Sequence, residues 1–209
     1  MKKPSLPILT LLVFAAGLFL PANLYATHTS GHVTLHCASE QLLCDFNKKL
    51  ELSPRLCHLM KNQNPASVED KVMAKFNAII EQAKIILGMN PKNLHINVVI
   101  LPTTEDCSEI FAKKYGKSER KFAYYSLSED TIYISATETR LGVVAHELGH
   151  AIIDSYFSEQ PPSYMHELMA QSVETHINDN EQLITAFRRM DEDAAKIRCA
   201  CNSYAPREK

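Results

Sequence analysis

His146-Glu147-Leu148-Gly149-His150 places two imidazoles four residues apart. On an α-helix such positions lie one above the other, so both rings reach a single ion. Glu147 is rotated about 100° from His146, which sets a carboxylate beside the ion as an acceptor for a proton from activated water. Zinc suits this pattern, because imidazole is a good ligand and an open fourth position is left for water. With nine histidines in the chain, five residues alone also fit a helix carrying two ordinary histidines. The flanks favour a site: Leu141, Val143, Val144 and Ala145 before it and Ile152 and Ile153 after it make an apolar helix with dry surroundings.

A third ligand is expected downstream. Pro161-Pro162 punctuates the chain, and Ser163 reads as the cap of a new helix with His166 and Glu167 in its first turns. Glu167, Ala170, Gln171 and Glu174 form one stripe, on which Ala170 lets two helices approach closely. Met165, Leu168, Met169, Val173 and Ile177 form the expected buried face. Helical direction favours Glu167 as the ligand. His166 is its competitor, since neighbours on a helix do not easily face one ion. Asp154 or Glu174 is placed to orient a ligand imidazole. Tyr156, Tyr164, His166 and His176 are candidates, by position only, for steadying an oxyanion.

The elements that must hold these residues follow from periodicity. Helix is expected over about 38–60, broken near Ser53-Pro54. A second helix starts at Ser67-Val68-Glu69-Asp70 and stops at Gly88, with an apolar face from Val72 to Leu87. Leu94–Leu101 alternates and then turns wholly apolar, as a largely buried strand does. A short helix covers about 105–115. Residues 121–125 and 131–135 read as a β-hairpin. Helices follow at about 137–157, 163–178 and 180–198. The fold class is α+β: a small, mostly antiparallel sheet with a β-hairpin, packed with helices that include the one bearing His146 and His150. His28, His32 and His36 fall in a polar stretch, 27–36, that reads as a mobile terminus.

The chain has 209 residues, 45% of them hydrophobic, and a formal net charge of -2. That is one domain's worth of core with no basic excess, so a nucleic-acid partner is not expected. Lys2-Lys3, the uncharged run Ile8–Leu20, Pro21 and small Ala26 have the layout of a signal peptide covering 1–26, with a single domain over 27–209. The run is shorter than the roughly 20 residues that span a bilayer, so no stable membrane insertion is expected after cleavage. The product would be periplasmic or secreted. Cys37, Cys44, Cys57, Cys107, Cys199 and Cys201 are an even number in an exported chain and read as disulfides, with Cys199 or Cys201 clasping the tail to the N-terminal helical region.

His146-Glu147-Leu148-Gly149-His150, with Glu167-Leu168-Met169-Ala170 on its own helix and a hairpin just before, resembles the gluzincin metallopeptidases. Over about residues 94–180 it is most similar to the small, single-domain minigluzincins. Glycine and a third histidine soon after the motif, as metzincins have, are missing from Ala151–Phe157. The resemblance implies zinc held by His146, His150 and Glu167, Glu147 as general base, and a peptide or protein substrate laid along an edge strand. The expected function is an exported zinc-dependent endopeptidase. Its rivals are a non-catalytic or latent zinc protein of the same fold, and a disulfide-stabilised binding module in which the motif is accidental.

Overall fold

The computed structural model describes residues 26–60 and 65–179. The segment before Ala26, the helix expected at 180–198 and both C-terminal cysteines lie outside the described residues.

The fold is α+β, with five strands in one mixed sheet and six helices among the described residues. Strands β1 (Ala26–Ser30) and β2 (Val33–Cys37) form an antiparallel hairpin. Its two-residue loop starts with Gly31 at φ 59, a left-handed conformation that glycine adopts without steric cost. The stretch expected to be a mobile terminus is therefore ordered. Val33, Leu35 and Cys37 alternate inward and are buried, and this period outweighs the polarity of the stretch. His28, His32 and His36 are spread over the hairpin: His32 Nδ1 meets the Leu94 carbonyl at 3.1 Å and His28 lies by Glu69.

Next come α1 (Glu40–Lys49) and α2 (Pro54–Leu59), each started by a serine, Ser39 and Ser53, whose hydroxyl accepts a backbone N–H. The break expected near Ser53-Pro54 separates them. Helix α3 (Val68–Leu87) opens with a reciprocal Ser67–Asp70 capping box and closes at Gly88 in the left-handed region. Lys75 reaches back from α3 to donate to the carbonyls of Asn47 (2.6 Å) and Leu50 (2.7 Å), satisfying groups that the end of α1 leaves free.

Strand β3 (Ile96–Leu101), α4 (Thr104–Tyr115), β4 (Ala123–Ser126), β5 (Thr131–Ser135), α5 (Leu141–Tyr156) and α6 (Ser163–His176) complete the described chain. The sheet order is β1-β2-β3-β5-β4. β2 and β5 both run parallel to β3, while the two hairpins are antiparallel. The sheet is thus mixed rather than mostly antiparallel. The physical reason is the long helical crossover between β2 and β3, which returns the chain to the same end of the sheet.

One sheet face carries Leu35, Val98, Ile100, Ile132 and Ile134 into a core closed by α1, α3, α5 and α6. On the other face α4 covers a smaller cluster of Leu101, Cys107, Tyr124 and Tyr133. No disulfide joins the four described cysteines to one another: Cys37 and Cys107 are buried thiols, Cys44 is half-buried and Cys57 is exposed. Among the described residues no helix is long and apolar enough to cross a membrane.

Candidate metal centre

Helix α5 is buried on nearly every side, with Val144, Ala145, Leu148, Ala151, Ile152 and Ile153 in the core. Helix α6 lies against it because Gly149 has no side chain. A Cβ there would stand 3.2 Å from the Ala170 Cα and 3.3 Å from Val173 Cγ2. Seating the small-residue stripe of α6 on α5 rotates the helix relative to the expected face. Ala170, Val173 and Ile177 are buried, whereas Met165 and Leu168 point outward, 43% and 60% exposed. Pro162, not Ser163, occupies the N-cap, and no side chain caps the helix.

That seating brings Glu167 over the two histidines. His146 Nε2 and His150 Nε2 are 3.1 Å apart, and the Glu167 carboxylate lies 3.5 Å from the first and 3.6 Å from the second. Tetrahedral metal–ligand bonds of about 2.0–2.2 Å put donor atoms about 3.3–3.6 Å apart. The two imidazole nitrogens and the carboxylate converge at separations close to that spacing, the Glu167 contacts being made by different oxygens, and the cluster His146–His150–Glu167 can hold a metal ion. Burial, with His146 and His166 adding to it, pushes the His150 pKa down to about 3, so the ring is neutral and its lone pair is available. Two imidazoles and a carboxylate are donors that a divalent transition-metal ion takes.

His166, the competitor for the third position, is on the opposite side of His150. Its Nδ1 is 2.7 Å from His150 Nδ1, and the two rings are nearly parallel, with centroids 4.9 Å apart. One ring cannot give both nitrogens to one ion, so His166 does not share the ion that His150 Nε2 and Glu167 face. Glu174 has an oxygen 3.2 Å from His146 Nδ1, where it can orient that ring. Asp154 does something else. It accepts from the Tyr125 hydroxyl at 2.7 Å and from Gln160, tying β4 and the loop before α6 to the end of α5.

Glu147 is 9% exposed, and burial raises its pKa to about 8. Hydrogen bonding from the Tyr125 backbone and the charge of Lys121 oppose that rise, whereas Glu167 and Glu174 reinforce it. Tyr125 belongs to β4, the last strand of the sheet on this side. β5 lies between β3 and β4 and has no free edge, so of the two hairpin strands only 123–126 can offer its backbone to a partner. Ser135 N donates to Phe122 O across the ladder at 2.8 Å. In an antiparallel pair this alternates, so Ala123 and Tyr125 turn their N–H and C=O away from β5.

A cleft of about 500 Å³ runs over the centre, lined by His150, His166, Glu167 and Tyr125 and extending to Phe111 and Tyr115. A second pocket of about 270 Å³ adjoins it, with Val143 and Glu174 in its wall. Lys121, Ala123, His146 and Glu147 line both. Lys121, Tyr125 and Gln160 are site residues that spacing did not reveal, because nothing local marks which loop docks beside α5. Tyr156 and Tyr164 are exposed and line neither pocket, and His176 pairs instead with Asp179 at 2.6 Å. Comparison with known proteins returns no matching family model, curated sequence or solved structure.

Proposed function

We propose that the chain is an exported zinc-dependent endopeptidase. One observation carries the reading: the His146–His150–Glu167 cluster and the buried Glu147 line a cleft beside the outer strand of the described sheet, and His146 and Glu147 also line the pocket next to it. A cleft that continues past the reactive groups into a second pocket suits a bond in the middle of a chain rather than at its end. The outer N–H and C=O groups of Ala123 and the outer C=O of Tyr125, whose N–H donates to Glu147, would pair with an extended peptide by β-augmentation.

His146, His150 and Glu167 would hold the ion. Zinc so held supplies Lewis-acid polarisation of a carbonyl and makes water acidic near neutral pH. Glu147 would accept the proton of the attacking water and then return it to the leaving amine. Export is supported by the layout of residues 1–26. A closed, non-catalytic metal site has less support, since the Glu167 side chain is 65% exposed. An accidental motif has less still, because Glu167 and Glu174 both converge on the histidine pair.

The test is cleavage of a diverse quenched-peptide library by the zinc-loaded protein beside Glu147→Gln at equal zinc content. The expected result is turnover by the parent and a loss of about 10²–10⁴-fold in the variant. Zinc bound one-to-one with no turnover in either would overturn the enzyme in favour of the non-catalytic site.

A further inference from the structure

His150 stands between two other imidazoles and uses a different nitrogen toward each. Its Nε2 faces His146 Nε2 and the Glu167 carboxylate, and its Nδ1 faces His166 Nδ1 at 2.7 Å. A neutral imidazole has one hydrogen for two nitrogens. To bind an ion through Nε2, His150 must carry that hydrogen on Nδ1, and the hydrogen then needs an acceptor. The carboxylates in reach are otherwise engaged: Asp154 takes Tyr125 and Gln160, Glu174 stands at His146, and Glu167 faces the Nε2 side. His166 Nδ1 is the atom at hydrogen-bond distance. If it accepts, the hydrogen of His166 is confined to its Nε2, which is buried and has no partner among the described residues.

Resting on the reading that the cluster holds a metal, we infer that His166 is a positioning residue: its Nδ1 accepts the His150 Nδ1–H and fixes the tautomer that leaves His150 Nε2 bare toward the ion. An imidazole here does the work more often done by a carboxylate or a backbone carbonyl. The contact also sets the plane of His150, since the two rings meet edge to edge within 21° of parallel, with centroids 4.9 Å apart. The residue before the third ligand thus serves the second ligand. One short helical segment supplies Glu167 to the front of His150 and His166 to its back.

Zinc affinity, by competition with a chromophoric chelator, and the visible spectrum of the cobalt(II) form would be measured for the parent, His166→Ala, His166→Asn and Glu167→Ala. The expected result is a 10- to 100-fold weaker affinity in His166→Ala with the cobalt spectrum unchanged in shape. His166→Asn, whose side-chain oxygen replaces Nδ1 as acceptor, should recover most of the affinity, and Glu167→Ala should alter the spectrum. Unchanged affinity in His166→Ala, or an asparagine no better than alanine, overturns the inference while leaving the metal site standing. A changed spectrum in His166→Ala makes His166 a ligand and overturns it as well. Failure of the parent to bind zinc overturns the metal reading itself. Should His166→Ala not fold, ¹H–¹⁵N correlation on the zinc-loaded parent decides: hydrogen on Nδ1 of His150 and on Nε2 of His166 supports the inference, and any other pair overturns it.

Discussion

Gly149→Ala and Gly142→Ala place the same methyl group at two points of α5 and should have opposite effects. Alanine is better than glycine in a helix interior by about 1 kcal/mol, and that gain is available to both, less fully at Gly142 in the first turn. At Gly142 the new Cβ would meet Glu174 Cγ at 3.3 Å, the stem of a flexible side chain that can give way, though not without moving the carboxylate that stands at His146 Nδ1. At Gly149 it would meet backbone, the Ala170 Cα at 3.2 Å, together with Val173 Cγ2 at 3.3 Å. Carbon atoms rest about 3.5–4.0 Å apart, so α6 must retreat by a few tenths of an ångström, and such overpacking costs about 1–3 kcal/mol. Gly142→Ala is therefore expected to gain up to about 1 kcal/mol, and Gly149→Ala to lose up to about 2 kcal/mol net. The retreat also lengthens the 3.5 and 3.6 Å separations between Glu167 and the histidines, so Gly149→Ala should weaken zinc binding. Urea unfolding of the metal-free proteins and chelator competition measure the two effects. Equal stabilisation by both substitutions, with zinc affinity intact in Gly149→Ala, would show that α6 is not seated on Gly149 and would refute the argument.

Glu147→Gln should make the metal-free protein more stable. The folded state raises this carboxyl from an ordinary 4.5 to about 8, so the parent loses stability as pH rises through that window while the glutamine variant does not; denaturant midpoints at pH 4.5 and pH 8 should diverge, and a constant difference would contradict the sign. Burial raises the thiol pKa of Cys37, and that of Cys107 to about 12, so both should resist iodoacetamide at pH 8 in the folded protein and react in urea without reductant; mass mapping that finds either labelled at once, or blocked in urea, goes against this. Burial works to raise the Glu129 pKa, but Lys114 and Tyr133 outweigh it and the net shift is downward. Its partly exposed pairing is worth under about 1 kcal/mol, is present above the ordinary carboxylate range, and is lost as pH falls through the folded value; Glu129→Gln should therefore cost stability at pH 7 and nothing in strong acid, as thermal melts at the two pH values would register.

The parts of the site that could be read in advance are those with a short-range signature. His146 and His150 are one helical turn apart, and Ser67–Asp70 and Gly88 bound α3 as capping chemistry requires. Glu167 was reachable from the Glu167–Ala170–Glu174 stripe, because a small residue between two acids marks a contact face. What escaped depends on pairing across long distances. Nothing in Val33–Cys37 or Thr131–Ser135 states that both lie parallel to β3, and nothing in Tyr125 states that its hydroxyl meets Asp154. The outward turn of Met165 and Leu168 escaped for a related reason, since hydrophobicity alone favours burying them and only the Gly149–Ala170 approach decides otherwise. For His166 the sequence offers the residue and its neighbour but not the nitrogen it addresses.

The strand order also divides the chain by how far apart its partners lie. The reactive half closes over short distances: His150 meets His166 across 16 residues and Tyr125 meets Asp154 across 29. The β1–β2 hairpin must wait for a partner far downstream, as the contact of His32 with Leu94 across 62 residues shows. Closing a longer loop costs more entropy before any contact repays it, so distant parallel ladders are slow to form. Assembly should therefore run opposite to synthesis, with the centre around α5 and α6 condensing first and the N-terminal hairpin docking last. Until it docks, Val33 and Leu35 are bare strand in solution, and that interval is when the chain is most exposed to aggregation.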